Sequence, residues 1–498
     1  MRHRSMRHGL TRHMLVLTVV AAAAAVASLG AVGPLRADVT FTPFTVETGL
    51  DGPASVYPAD IDRDGDNDIV AAIGNANQIV WWRNDGGSPV VWTKFVIADA
   101  FGSAVSVYVE DVDGDLAPDV LGAGWNRNQI AWWKNGGGDP IVWTKQAIAS
   151  GFTQAHEVYA CDLDRDGDMD AVGAGAGNNT IAWWRNDSGN PIVWTAQVLG
   201  SSAGGARSAR AADLDGDLDI DVVGAALTDN EITWWRNDGG SPIAWTEITI
   251  TAAFGGAHMV RTCDLDQDGD LDLVAAAYTA DETAWWRNDG GSPVVWTMHT
   301  VATGFNGAVT VCPADIDDDG DPDILGAAQD ASDLVWWSND GGDPIVWTLH
   351  TIDDNFGGVW PAHVGDLNGD FHADVVAGGF NADEIRWWRN DALAGTDPAA
   401  EKSPRGEPIR INQNSPNPFS PATTISFDVA SPQRVELAVY DVEGRLVRML
   451  VGGPVAAGTH SVAWDGLDSR GRAAASGLYF YRITAASFQA THPMVLVR

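Results

Sequence analysis

The chain has 498 residues, room for two or three domains and a large core. A formal net charge of -37 and a pI near 4.3 argue against a nucleic-acid partner, whose phosphates would be repelled. Three cysteines (Cys161, Cys263, Cys312) make no disulfide framework; buried free thiols are expected, with a Cys263–Cys312 bridge as the alternative.

The first segment reads as an export signal. Arg2, Arg4, Arg7 and Arg12 give a basic start, an apolar stretch runs from Met14 to about Val32, and Ala37 offers a small residue for cleavage. Residues 1–37 are therefore assigned to a signal peptide, an uncleaved anchor being the alternative. No later segment is apolar for long enough to span a bilayer. The mature chain is expected to be secreted or displayed on the outer cell surface.

From residue 38 to 391 one unit recurs every 51 residues. Each copy has four strand-like runs; in the second they are Val105–Asp111, Pro118–Gly124, Gln129–Asn135 and Ile141–Ile148. A period near 50 built from four short strands signals a propeller blade, and seven copies predict an all-β, seven-bladed β-propeller. Trp-Trp pairs recur at 81/82, 132/133, 183/184, 234/235, 285/286, 336/337 and 387/388. Adjacent strand residues point to opposite faces, so each pair should pack an indole against the blade on either side. A third Trp (92, 143, 194, 245, 296, 347) has no seventh copy, because Pro398 stands at that place. Phe41–Val46 instead aligns with Trp92–Ile97, which predicts that an N-terminal strand, 38–47, completes the last blade and closes the ring.

A nine-residue acidic loop follows the first run of every unit. Its positions 1, 3, 5 and 9 are Asp60, Asp62, Asp64 and Asp68 in the first copy, then Asp111, Asp113, Asp115 and Asp119. The third to fifth copies carry Asp162, Asp164, Asp166 and Asp170; Asp213, Asp215, Asp217 and Asp221; and Asp264, Asp266, Asp268 and Asp272. The last two carry Asp315, Asp317, Asp319 and Asp323, and Asp366, Asn368, Asp370 and Asp374. Oxygens converging from one short turn suit a hard cation, so up to seven Ca²⁺ are expected. Position 6 is Gly in four copies, while Leu116, Leu218 and Phe371 stand there in the others, where weaker sites are expected. The missing acid at position 12 and the absence of flanking helices speak against an EF-hand.

These loops resemble the FG-GAP/VCBS repeats of integrin-α-like propellers. Phe101-Gly102, Phe254-Gly255 and Phe356-Gly357 stand ten residues before their loops, as the Phe-Gly of that family does. The resemblance implies calcium on one face of the ring and partner binding on the other. It leaves the function open, since such propellers serve adhesion, recognition and enzymes.

Where the copies disagree, a ligand site can be sought. Six residues before each loop, the series includes His156, Arg207, His258 and Trp360; after the second strand it includes Trp125, Tyr278 and Phe380. Strand direction puts these seven on the face opposite the calcium loops, as an asymmetric rim for an anionic or sugar-like ligand. Drift of unconstrained loops is the competing account. His156, Glu157 and His258 could do acid–base work, but no spacing forces them together, and no catalytic residue is assigned.

Residues 392–408 form a Pro- and Ala-rich linker, and 409–498 alternate as a small Ig-like β-sandwich. Pro416-Asn417-Pro418-Phe419, Val439–Arg445, Ala463–Gly466 and Ser476–Tyr479 resemble the type A C-terminal sorting domain of the type IX secretion system. That domain is similar to the Ig-like domain of flagellar hook-capping proteins. The resemblance implies handling by bacterial secretion machinery and attachment at the cell surface. The expectation is a monomeric, calcium-binding recognition or adhesion module for an extracellular glycan or protein. A polysaccharide-active enzyme on the same propeller and a purely structural surface component are the alternatives.

Overall fold

The computed structural model describes residues 39–391 apart from 202 and 371, and further along the strands between residues 409 and 496 with parts of their connections. The expected signal peptide and linker lie outside the described residues. Two compact units, Met1–Ala394 and Gly395–Arg498, divide the chain.

The first unit is a seven-bladed β-propeller, built as seven four-stranded antiparallel sheets. Blade two shows the pattern, with strands Ala104–Glu110, Asp119–Gly124, Gln129–Asn135 and Trp143–Ser150 paired in that order. The second strand, DVLGAG, is buried at every position, because neighbouring blades cover both its faces. Close approach explains its glycines: a Cβ on Gly122 would lie 2.7 Å from Ile79 Cδ1 in blade one. The fourth strand starts at Trp143 rather than the expected Ile141. Ile141 and Val142 belong to the preceding hairpin, where the Val142 N–H donates to the Gly137 carbonyl.

Blade seven draws its strands from both ends of the repeat array. Val359–Gly365, Asp374–Gly379 and Glu384–Asn390 are completed by Phe41–Thr48, with Phe41 opposite Asn390 and Thr48 opposite Glu384. Phe44 stacks on Trp387 at 4.9 Å, as Phe95 stacks on Trp81 at 4.9 Å. The first strands of neighbouring blades touch around the whole ring, that of blade seven meeting that of blade one.

The Trp-Trp pairs divide between successive cores. Trp81 shares a cluster with Trp133 of blade two, while Trp82 shares another with Trp387 of blade seven. The same split recurs for Trp132 with Trp184 and for Trp336 with Trp388. Truncating such a buried indole costs about 3–5 kcal/mol, so these pairs carry much of the stability of the ring. The third Trp is half-buried at the edge of these clusters; Trp245 meets Trp183 edge-on at 6.2 Å. Cys161, Cys263 and Cys312 are all free, so the Cys263–Cys312 bridge does not form.

The second unit is an Ig-like sandwich of two sheets. Ile409–Ile411, Thr423–Val429 and Gly458–Trp464 form one; Leu446–Val455, Gln433–Asp441, Gly477–Ala485 and Phe488–Leu496 form the other. Alternate residues such as Ile425, Phe427, Leu437, Val439 and Tyr481 fill the space between them. Trp464 is fully buried, and its Nε1–H donates to the Leu467 carbonyl at 2.9 Å. Among the described residues no helix is long and apolar enough to cross a membrane.

Candidate functional site

Each blade turns its first strand to the central channel, so residues from distant repeats meet there. The seven residues singled out by divergence come from five blades and form one connected cluster. The Arg207 guanidinium lies over the Trp125 ring at 5.0 Å, and Trp125 meets His156 at 5.8 Å. His156 lies 5.7 Å from His258 and 6.0 Å from Trp360, which also stands 6.1 Å from His258. Phe380 meets Trp360 at 5.8 Å and Tyr278 meets His258 at 6.4 Å. The curvature of the ring thus joins residues that no sequence spacing connects.

Both histidines are 7% exposed. Their Nδ1 atoms sit 2.8 Å from the Arg207 carbonyl and 3.0 Å from the Val309 carbonyl, which makes Nδ1 the protonated nitrogen and leaves Nε2 an acceptor. Burial, assisted by the Arg207 charge, holds both rings neutral, pushing His258 down to about 4 and His156 well below its ordinary value. His156 Nε2 and Arg207 Nε are buried without a hydrogen-bond partner. A buried acceptor and a buried donor left open are costly unless something occupies them.

Beneath this mouth lies a charged layer. Glu157 Oε1 is 2.8 Å from Arg210 Nη1 and 3.3 Å from Arg261 Nη2, and Oε2 accepts the Ala209 N–H at 2.9 Å. Burial alone would push Glu157 up, but the Arg210 and Arg261 charges, together with hydrogen bonds from Ser208 and the Ala209 N–H, more than offset it and hold the carboxyl below its ordinary range. Arg261 is pushed down to about 10 by burial and so stays a cation at neutral pH. Tyr57, Tyr108 and Tyr159 line the same layer in successive contacts of 5.1 and 4.8 Å. The lined space amounts to about 80 Å³, several times what one water needs. Three guanidiniums against one carboxylate make it a positive spot in an acidic protein.

A larger cleft of about 430 Å³ opens at the seam between blades seven and one, beside Phe44, Pro89 and Arg389. Several of its polar groups already have partners: Arg389 with Asp391 at 2.6 Å, Asn368 with Asp370 at 2.9 Å, and His372 with Asp318 of blade six. The channel mouth, with open valences, is the better candidate for a ligand.

At the other end of the first strands stand the acidic loops. The position-9 carboxylate organises each one. Asp68 is fully buried, and its two oxygens accept the N–H groups of Ile61 and Asn84 at 3.0 and 2.7 Å. Asp119, Asp170, Asp221, Asp272, Asp323 and Asp374 are held in the same way. Positions 4 and 6 adopt positive φ, and Gly occupies one or the other. Gly65 follows Arg63 (φ 62°), whereas Gly114 and Gly216 precede Leu116 (φ 69°) and Leu218 (φ 78°). Leu116 and Leu218 thus share a backbone path with their Gly counterparts, the glycine having moved two places; Phe371 lies outside the described residues.

The donor set fits a hard cation. Oxygens of Asp60, Asp62 and Asp68 lie within 4.8 Å of one another, as do those of Asp213, Asp215 and Asp221 and of Asp264, Asp266 and Asp272. Oδ1 atoms of Asp62, Asp162, Asp164, Asp215 and Asp264 are buried with no partner. Burial, with the neighbouring carboxylates adding to it, pushes Asp68 up to about 8 and Asp170 and Asp272 to about 7. Unpaired, crowded carboxylate oxygens are what Ca²⁺ coordination would relieve.

Family comparison settles the architecture of these loops. A model described as FG-GAP-like repeat matches six times, over residues 60–122, 111–173, 162–224, 215–275, 264–326 and 315–377. The chain belongs to the FG-GAP-like repeat family. A second model, the FlgD Ig-like domain, matches residues 413–488. No curated protein sequence matches the chain. Among solved structures it is similar to BBS1N, crystallised in complex with ARL6DN, at 12% identity and a TM-score of 0.48, covering 72% of this chain and 98% of that one. It is also similar to PorZ, an essential bacterial surface component of the type IX secretion system of Porphyromonas gingivalis, at 14% identity and a TM-score of 0.43. That match covers 91% of this chain and 60% of PorZ.

Two features of these FG-GAP-like repeats escaped sequence reasoning. The Asn closing the Trp-Trp strand ties its blade to the previous loop in six of the seven copies: Asn84 Nδ2 donates to the Leu367 carbonyl at 2.9 Å, and Asn339 to Leu265 at 2.9 Å. Its invariance across the seven copies was the available signal. The second is the Glu157–Arg210–Arg261 network, whose members come from three different repeats, Glu157 two columns away from the arginines, and so did not suggest a pair.

Proposed function

We propose that this chain is a surface-displayed, calcium-rigidified recognition module whose channel mouth binds an acidic sugar of an extracellular glycan. One observation carries the reading: seven divergent residues converge there around His156 Nε2 and Arg207 Nε, which are buried and unpaired. A uronate-type ligand matches both, its carboxylate meeting the guanidinium and a hydroxyl donating to the imidazole. Trp125 and Trp360 offer apolar faces for the ring. Glycan hydrolysis is less well supported. Among the described residues lining the channel the carboxylate is Glu157, and it is engaged by two guanidiniums.

Export and surface display are supported by the basic and apolar residues 1–37 and by the FlgD-like Ig domain, through which secretion machinery would handle the chain. Calcium would fill the acidic loops and stiffen the face opposite the mouth. At millimolar calcium, a site with a dissociation constant near 10⁻⁴ M adds roughly 1.4 kcal/mol, so several sites together raise Tm markedly.

A binding screen of acidic and neutral glycans on the full chain, with and without calcium, tests the proposal. Uronate-containing glycans should bind, and Arg207→Gln and Trp360→Ala should each weaken binding about ten-fold or more while leaving the fold intact. Equal binding by parent and variants would sink the mouth as the site. A melt unchanged by EDTA would sink the calcium reading.

A further inference from the structure

The seven acidic loops differ in what stands over them. In five blades the third strand ends Trp-Trp-Arg-Asn-Asp, and the arginine pairs with that last aspartate, as in Arg83–Asp85 at 2.7 Å and Arg185–Asp187 at 2.5 Å. The carboxylate also accepts from a fourth-strand threonine, Thr93 or Thr195. Each guanidinium is thereby bonded to its own aspartate, within charge range of the loop carboxylates but paired outside them.

Blade two changes both partners together, reading Trp132-Trp133-Lys134-Asn135-Gly136. With Gly136 in place of the aspartate, Lys134 has no carboxylate on its own strand to hold it. Its ammonium turns instead into the acidic loop, where Nζ lies 2.7 Å from Asp115 Oδ2 and contacts Asp113 Oδ2. These are positions 5 and 3. In sibling loops the position-3 oxygens of Asp62, Asp164 and Asp215 are buried without a partner. A compact ammonium with three donors can sit between two carboxylates, which a planar guanidinium pinned by its own aspartate does not do.

We infer that Lys134 is a built-in counter-ion for the second loop, which therefore closes without a divalent metal while its siblings take one. The inference rests on the calcium reading of the sibling loops. The Asp111, Asp113 and Asp115 oxygens lie within 4.8 Å of one another, so the loop has the shape of a metal site. A divalent ion entering it must expel the ammonium or endure its charge at contact distance, and either weakens binding. The sequence change that spares this blade a metal is thus a coupled one, Arg to Lys and Asp to Gly.

Calcium stoichiometry of the full chain, counted by native mass spectrometry, tests this. Lys134 is partly solvent-exposed, so Lys134→Met should fold and should bind one more Ca²⁺ than the parent. In the parent, Asp164→Asn should lose one ion and Asp113→Asn none. Equal counts for the parent and Lys134→Met, or a lost ion in Asp113→Asn, would overturn the inference. A second readout needs no calcium: in EDTA, Lys134→Met should lower Tm by roughly 1–2 °C, since Asp113 and Asp115 lose their counter-ion. If neither protein binds calcium, the sibling-loop reading fails. The EDTA melts then decide the counter-ion alone, a fall supporting it and an unchanged Tm refuting it.

Discussion

Replacing Glu157 by Gln removes one negative charge and little else, and it should cost about 3–5 kcal/mol, the range seen when one partner of a buried ion pair is lost. Glu157 is 8% exposed and takes charge-assisted hydrogen bonds from Arg210 at 2.8 Å and Arg261 at 3.3 Å. A glutamine can still accept the Ala209 N–H, but its amide presents hydrogens where two guanidiniums need an acceptor. The two cations, on the adjacent first strands of blades four and five, are then left without compensation in a layer that links blades three, four and five. Against a domain stability of about 5–15 kcal/mol this is a large fraction. Thermal unfolding of the full chain, followed by tryptophan fluorescence, should show Tm falling by roughly 6–12 °C. Arg261→Met added to Glu157→Gln should recover part of the loss, because one stranded charge disappears. The acid limb supplies a second check. The folded pKa of Glu157 is depressed, so its stabilisation is present above the unfolded value near 4.5 and lost as pH falls through the lower folded value. The variant should lack that part of the slope. A single-variant cost below about 1 kcal/mol would refute the network as described.

His258 gives a pH dependence of its own. Its folded pKa is lowered to about 4 from 6.5, so between those values the unfolded chain binds more protons and stability falls as pH drops from about 6.5 to 4. Fully expressed, the shift corresponds to about 3 kcal/mol. The buried loop aspartates, whose pKa values are raised, titrate with the opposite sign, so the His258 contribution is read as a difference. In urea unfolding at pH 7.5 and pH 5, His258→Phe should lose less stability on acidification, or gain more, than the parent, and identical pH responses would contradict it. Deleting residues 38–47 removes the strand paired with Glu384–Asn390 and leaves that strand as an open edge. The deletion variant should melt well below the parent and aggregate, whereas a parent-like melt would refute closure by this strand.

The parts of the molecule that repeat were the parts legible from the chain alone. Trp81 and Trp82 announced two inter-blade faces, and Phe41 and Phe44 announced a displaced fourth strand, because a fixed register turns one copy into a template for the rest. What failed to show was contact across the ring. His156 and His258 belong to non-adjacent blades, and only the curvature of a closed seven-fold array brings their rings to 5.7 Å. The Glu157 network was hidden for a related reason: its partners come from three different blades, and only the closed ring brings Arg210 and Arg261 to the same carboxylate. At Leu116 and Leu218 the glycine lies at position 4 instead of 6, and the same positive-φ turn forms with the glycine at either place.

The two ends of the first strand explain how an acidic protein can offer a positive mouth. His156 stands near the start of Ala155–Cys161, and Asp162 follows its end. Six residues of extended chain span about 20 Å. That exceeds the screening length of about 8–10 Å at moderate ionic strength, so the acidic loops do little to cancel Arg207 at the far end. The loops and the mouth are therefore nearly independent electrostatically while being joined mechanically by seven stiff strands. A ligand at the mouth touches several blades at once, and its fit depends on those blades keeping their angles. The acidic loops and the Asn latches between blades fix those angles from the opposite face. On this account the repeated residues set the frame, and the residues that differ between copies decide what the frame holds.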